Sequence, residues 1–183
     1  MTINTPRLTL RPMILADAPD IQRLAGDKDV ASTTLNIEHP YEDGMAEKWI
    51  TSCQNMSDAG ELVNFAITLT ADDSFLGVIG IHFQETKGHA EIGYWVGKPY
   101  WNLGYATEAA KAVVKFGFNQ LSQERIHAAH FTRNPASGHV LQHAGMLYEG
   151  SQQGPTIKWG VMEQLELYGV SREQFLESEL TSV

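Results

Sequence analysis

The hydrophobic positions of this chain recur with two periods, and the switches between them outline its elements. Leu8 and Leu10 alternate with polar neighbours and mark a first strand within residues 7–14. Asp17 to Ala25 reads as a short helix, with Asp17 as its N-cap and Pro19 in the first turn. Residues 27–42 show no clear period. From Asp43 to Met56 the helical period returns, with Met45, Trp49, Ile50, Cys53 and Met56 on one stripe. Leu62–Thr70 and Phe75–Phe83 are strands joined by the acidic turn Ala71-Asp72-Asp73-Ser74, and His89–Val96 extends them into an antiparallel meander. Ala106, Ala109, Ala110, Val113, Val114 and Gly117 then define a helix over 104–118. Arg125–Thr132 alternates again, 135–144 is helical up to the terminating Gly145, and Met146–Glu149 and Val161–Tyr168 are late strands. Ser171-Arg172-Glu173-Gln174 carries the capping-box pattern of a closing helix.

A meander followed by helix, strand and helix indicates an α+β fold, with a mixed, mostly antiparallel sheet flanked by helices on both faces. The 183 residues suit one domain spanning 1–183, without repeats or linkers. Hydrophobic content of 43% and charged content of 19% are ordinary for a globular protein.

Charge narrows the partners. A net charge of −9 lacks the basic footprint that nucleic-acid binding needs, and it suits a cationic acceptor such as an amine. One cysteine, Cys53, excludes an internal disulfide. No apolar run approaches the ~18–20 residues that span a bilayer, and the N-terminus lacks a signal-peptide layout, so the expected location is cytoplasmic, away from membranes. The oligomeric expectation stays open between monomer and homodimer.

Candidate chemistry concentrates in Pro99-Tyr100-Trp101-Asn102-Leu103-Gly104-Tyr105-Ala106-Thr107-Glu108-Ala109-Ala110. A strand, a short glycine turn and a helix start aim unpaired backbone N–H groups at one point, where an anion is stabilised. The loop has no Lys or Arg, which leaves the binding to amides and the helix dipole. Neither common nucleotide fingerprint is present, and read on its residues alone such a turn is more often a plain connection.

The run Trp101-Asn102-Leu103-Gly104-Tyr105-Ala106-Thr107-Glu108-Ala109 resembles the acetyl-CoA pyrophosphate loop of the GNAT superfamily of N-acetyltransferases, in its RimJ/RimL-like branch. The opening T-P-R-L-T-L-R-P, the segment Asn134-Pro135-Ala136-Ser137 with Ala144-Gly145-Met146, and Tyr168-Gly169-Val170-Ser171-Arg172 resemble that branch in the same order. The resemblance implies the GNAT (acyl-CoA N-acyltransferase) fold and acetyl-CoA as acetyl donor. It implies cofactor contacts at Trp101, Asn102, Leu103, Gly104, Tyr105, Ala106, Thr107 and Asn134. It also implies that strands 89–96 and 125–132 splay to admit the pantetheine arm, and that the first two helices wall the acceptor site.

Amide formation from a thioester needs a neutral amine, donors for the oxyanion and a proton or hydrogen bond for the leaving thiolate. The superfamily's common tyrosine donor falls at Leu141, which has no proton to give, whereas the branch's serine falls at Ser137. Ser137 is therefore the candidate donor, and capping its helix is the competing role. Asn134 equally suits a turn before proline. Glu91 resembles the position some relatives use as base, against a plain cross-strand role; Glu163 and then His82 follow it. The oxyanion donor is expected among the amides of 91–96. Tyr41, Trp49 and residues 36–39 are candidate acceptor contacts, with core packing the better reading of Trp49 and Cys53.

An α-amine costs only about 1 kcal/mol to neutralise at pH 7 and a lysine-type amine roughly 4–5 kcal/mol, so weak base candidates fit a low-pKa amine. A protein or peptide N-terminal α-amine is thus the expected acceptor, with a small amine such as a polyamine or an antibiotic as alternative. A closed pocket would favour the small amine, and an open groove between residues 27–42 and the 150–160 loop a peptide. A non-catalytic acyl-CoA-binding module is the rival of another class. His139 and His143 lie at i, i+4 without a third ligand, so no metal is expected. Asn102 and Leu103 depart from the branch's usual glycine and basic residue, which removes a charge from the loop, and Met146 replaces a phenylalanine.

Overall fold

The computed structural model describes residues 1–181, with backbone only at 153–155. Its strands are β1 (Ile3–Asn4), β2 (Leu8–Arg11), β3 (Leu62–Leu69), β4 (Phe75–Phe83), β5 (His89–Val96), β6 (Arg125–Phe131), β7 (Leu147–Lys158) and β8 (Val161–Ser171). Its α-helices are α1 (Ala18–Ala25), α2 (Lys28–Ser32), α3 (Met45–Asp58), α4 (Tyr105–Asn119), α5 (Pro135–His143) and α6 (Arg172–Thr181). One sheet runs β1-β2-β3-β4-β5-β6-β8-β7, antiparallel throughout except for the parallel pair β5–β6.

Period-two patterning decides which side chains meet which helices. Ala90, Ile92 and Val96 of β5 and Ile126 and Ala128 of β6 share one buried cluster with Ala109, Ala110, Val113 and Val114 of α4. Phe65 reaches Phe116 of α4 edge-on, their rings 5.6 Å apart. On the opposite face Ala66, Val78 and Trp95 pack with Ile21 and Leu24 of α1 and Ile50 and Cys53 of α3. Each Val, Leu, Ile or Phe side chain so enclosed contributes about 1.5–3 kcal/mol relative to exposure. Trp49 and Cys53 belong to this second cluster, which is the core reading.

The β5–β6 pair positions the site. Its register covers only His89↔Arg125, Ala90↔Ile126 and Glu91↔His127, after which the strands part. β4 remains paired with β5 as far as Val96. Because the Gly97 amide bonds to Leu76 O and the His89 carbonyl accepts from Gln84, the odd-numbered residues of β5 face β4. The amides of Tyr94 and Val96 therefore point into the gap. The expected splay is present, and it begins directly after Glu91.

Several local expectations are refined. Asp17 does not cap α1 with its side chain; its carboxylate accepts from the Ile14 amide at 2.9 Å and from Arg11 at 2.8 and 2.9 Å, a charged pair that wins over the cap. β1 and α2 are additional, and both are too short to carry a readable period. β7 runs to Lys158 rather than stopping near Glu149, because pairing with β8 carries it through a polar stretch. The capping box at α6 is realised in both directions, with Ser171 N–H donating to Gln174 Oε1 at 2.8 Å and Gln174 N–H to Ser171 Oγ at 3.2 Å.

Candidate active site

Six consecutive amides, those of residues 102–107, are without an acceptor among the described residues. Between β5 and α4 the chain makes a 3-10 turn at Lys98–Tyr100, pinned by the Trp101 indole N–H donating to Val96 O at 2.7 Å. Asn102 (φ 60) and Gly104 (φ 80) then adopt left-handed backbone on either side of Leu103. That turns successive N–H groups toward a common centre and starts α4 there. No acceptor among the described residues bonds the amides of 102–107, and residues 101–104 are exposed. Gly104 is favoured by its φ, which is costly for a side chain; an added Cβ would stand 3.3 Å from the movable end of Arg7.

The charge missing from the loop arrives from β2's approach. Arg7 donates from Nη1 to Leu103 O at 2.9 Å, binds Glu108 through Nε at 2.6 Å and lies over the Tyr105 ring at 4.6 Å. Glu108 also accepts from Thr5 Oγ1 at 2.6 Å and from the Arg7 amide at 2.9 Å. Burial pushes the Glu108 carboxyl upward, but the Thr5 hydroxyl, the Arg7 amide and the guanidinium outweigh it and hold it below its ordinary range. Arg7, Lys111, Lys115 and His143 border a cavity of about 680 Å³ along the outer side of α4. Nothing in the spacing of the sequence joins Arg7 to the loop 96 residues on.

Across the gap stand Ser137 and Tyr94. Ser137 lies in the first turn of α5, but the N-cap position is Asn134, which makes no side-chain cap bond. The Ser137 Oγ is instead 2.7 Å from Tyr94 Oη, and the same phenol donates to Ser137 O at 3.1 Å. Burial pushes the Tyr94 phenol well above its ordinary value, so it stays protonated as a donor. Period two made this readable in part, since Tyr94 shares its face with Ile92 and Val96. Leu141 is fully buried and offers no donor.

On the other face of the sheet, Glu91 lies where the strands part, with His82 and His127 opposite it on the flanking strands. His127 Nε2 is 3.9 Å from Glu91 Oε2, and the Glu91 side chain is 46% exposed, so water reaches its carboxylate. Glu163 is buried, and both its oxygens are engaged by Arg133 Nε at 3.0 and 3.1 Å. Tyr41 is half-buried on the Ile50/Trp95 cluster, and burial, with Cys53 and Glu47 adding to it, pushes its phenol up to about 12. His139 and His143 are joined through His143 Nδ1 and His139 O at 2.7 Å, and no group of three His, Cys, Asp or Glu among the described residues could hold a metal ion.

The β7–β8 hairpin meets the loop after α2. Lys158 Nζ donates to Leu35 O at 3.2 Å and to Ile37 O at 2.5 Å, and Arg133 donates to Ser32 O at 2.5 Å. The Trp159 ring lies 6.0 Å from His39. The tip of the β7–β8 hairpin and the loop after α2 are therefore tied together.

An acetyltransferase (GNAT) domain model matches residues 7–147. The chain belongs to the GNAT acetyltransferase family. It is 32% identical over 151 residues to the uncharacterized N-acetyltransferase p20 of Bacillus licheniformis, covering 81% of this chain and 84% of p20. Among solved structures, this GNAT chain superposes on RimL, the ribosomal L7/L12 alpha-N-protein acetyltransferase in complex with coenzyme A, with a TM-score of 0.85. The identity is 15%, over 93% of this chain and 98% of RimL. It also superposes on spermidine N-acetyltransferase from Vibrio cholerae, in complex with CoA and spermine, with a TM-score of 0.80 and 17% identity over 94% and 99% of the two chains. At those identities the likeness is one of fold.

Among the described residues no helix is long and apolar enough to cross a membrane.

Proposed function

We propose that this GNAT enzyme transfers an acetyl group from acetyl-CoA directly to a small primary amine. Acetyl-CoA fits what the chain offers: amides without partners at 102–107 for a pyrophosphate, Arg7 beside them, and the Tyr94 and Val96 amides turned into a gap that a β-strand-like arm can fill. When bound it supplies a thioester, whose acetyl group an amine can take and whose thiol departs. Every other contribution comes from the chain. Glu91 accepts the amine proton through water from the exposed mouth of the gap. An amide of β5 meets the developing oxyanion. Ser137 faces the departing sulfur.

Magnitude sets the Ser137 role. An aliphatic hydroxyl is about as weak an acid as water, ~15.7, and a thiol titrates near 8.5. Full proton transfer from Ser137 to the thiolate would run roughly 10 kcal/mol uphill. The hydroxyl therefore stabilises the thiolate as a hydrogen-bond donor, and water supplies the proton afterwards.

The observation that carries the choice of acceptor is the Lys158 tie to Leu35 and Ile37. It joins residues 35–37 to the 150–160 loop, across the place proposed for the acceptor. That favours the small amine over the peptide N-terminus that the weak base candidates suggested. Steady-state transfer to small mono- and polyamines, compared with peptides bearing free α-amines, tests the reading; turnover confined to peptides would defeat the acceptor assignment.

A further inference from the structure

We propose that Tyr94 is a positioning residue for transfer: its phenol fixes the proton of Ser137 so that the serine hydroxyl points at the departing sulfur. This rests on the N-acetyltransfer reading of the same gap. Both hydrogen-bond partners of the phenol belong to Ser137, Oγ at 2.7 Å and the carbonyl O at 3.1 Å. Each hydroxyl has one proton, so in the bond between the two hydroxyls only one of them is the donor. When Tyr94 donates to Ser137 O, the Ser137 hydroxyl is free to give its proton to Tyr94 Oη. When Tyr94 donates to Ser137 Oγ, the serine proton is released toward the gap. The exchange needs only two hydroxyl rotations and no movement of heavy atoms.

The placement supports the role. Tyr94 stands on β5 three residues past the last β5–β6 pair, and Ser137 stands on the helix that follows β6, so the bond links the two arms of the gap. Leu141 offers no donor there. His130 is buried nearby with Nε2 unpartnered, but its Nδ1 is committed to donating to Phe131 O at 2.8 Å. In the neutral ring Nε2 is therefore an acceptor, turned toward Gly138 and Tyr168. It cannot replace Tyr94 as a donor. In the step itself a C–N bond forms and the C–S bond breaks, with the electron pair leaving on sulfur. The amine proton passes through Glu91 to water; Ser137 and Tyr94 keep theirs, and the thiolate is later protonated by water.

The test pairs kinetics with a readout independent of turnover. In Tyr94→Phe, kcat is expected to fall about tenfold, the scale of one hydrogen bond to a charged group, with KM for acetyl-CoA little changed. Ser137→Ala should fall at least as far, and the double variant should be no worse than Ser137→Ala. Separately, the thiol of bound CoA is titrated by thiolate absorbance, with the desulfo-CoA complex as blank. It should ionise at a pH lower by about one unit in the wild type than in either variant. A bound-thiol titration unchanged by Tyr94→Phe but moved by Ser137→Ala would overturn the proposal, as would wild-type kcat in Tyr94→Phe. Wild-type protein that transfers to no amine would defeat the functional reading instead, leaving the thiol titration to decide on Tyr94. A melting temperature within a few degrees of wild type excludes a folding defect.

Discussion

Lys158 and Ile37 lie 121 residues apart in the chain, yet the ammonium of one donates to the carbonyl of the other at 2.5 Å. Lys158 is 5% exposed; burial, and then the nearby charge of Arg133, lower its pKa from the ordinary lysine value. A buried ammonium is stable only where carbonyls replace its water, and Leu35 O and Ile37 O do so. One cation held by two backbone groups thus joins the loop after α2 to the β7–β8 hairpin.

Replacing Lys158 by Met keeps the volume and removes the donor. KM for a small-amine acceptor should rise about tenfold while KM for acetyl-CoA stays within twofold, and the melting temperature should drop by roughly 2–6 °C. Steady-state kinetics with each substrate varied, and a thermal melt, check this. Unchanged KM values for both substrates would show that the tie plays no part in acceptor binding.

Gly104→Ala places a Cβ on a residue with φ 80, 3.3 Å from Arg7 Nη2. Left-handed backbone costs roughly 1–2 kcal/mol for an L side chain, so acetyl-CoA should bind about tenfold more weakly by calorimetry, with kcat less affected.

Glu108 gives a pH prediction. Its folded pKa lies below the ordinary 4.5, so the folded state favours the ionised carboxylate more than the unfolded chain does. The contribution is fully present above about pH 4.5 and is lost as pH falls through the folded value. Glu108→Gln should therefore melt below wild type at pH 7, and the two melting curves should converge toward pH 3. A constant gap over that range would show that the charge is not what stabilises the Arg7 contact.

Glu91→Gln should lower kcat/KM by about a hundredfold near pH 7. The loss should shrink as pH rises, because the amine then arrives neutral without help. A pH–rate profile with one amine distinguishes this from a binding defect, which would persist at high pH.

Much of the architecture was legible because it rests on local periods. The alternation of His89–Val96 and Arg125–Thr132, the small-residue stripe of α4 and the Ser171–Gln174 box each dictate their own structure. The turn that leads into α4 was legible for the same reason: a strand, Gly104 and a helix start are contiguous in sequence. What escaped depends on long-range contacts. Arg7 reaches Leu103, Arg133 reaches Ser32 and Lys158 reaches Ile37, and no spacing rule links such pairs. The contact of Glu163 with Arg133 escaped for the same reason, since the two lie 30 residues apart. The Tyr94–Ser137 bond was half visible, in the parity of β5 but not in the place where α5 would land.

The most direct measurement is initial-rate acetyl transfer from acetyl-CoA, followed by thiol release and by mass of the product. The acceptors are a panel of small primary amines beside peptides with free and with blocked α-amines. Saturable turnover on at least one small amine, with product mass increased by one acetyl group and little turnover on the peptides, is the expected result. No amine-dependent thiol release from any acceptor, despite tight acetyl-CoA binding, would contradict the enzyme reading and leave the chain as an acyl-CoA-binding module.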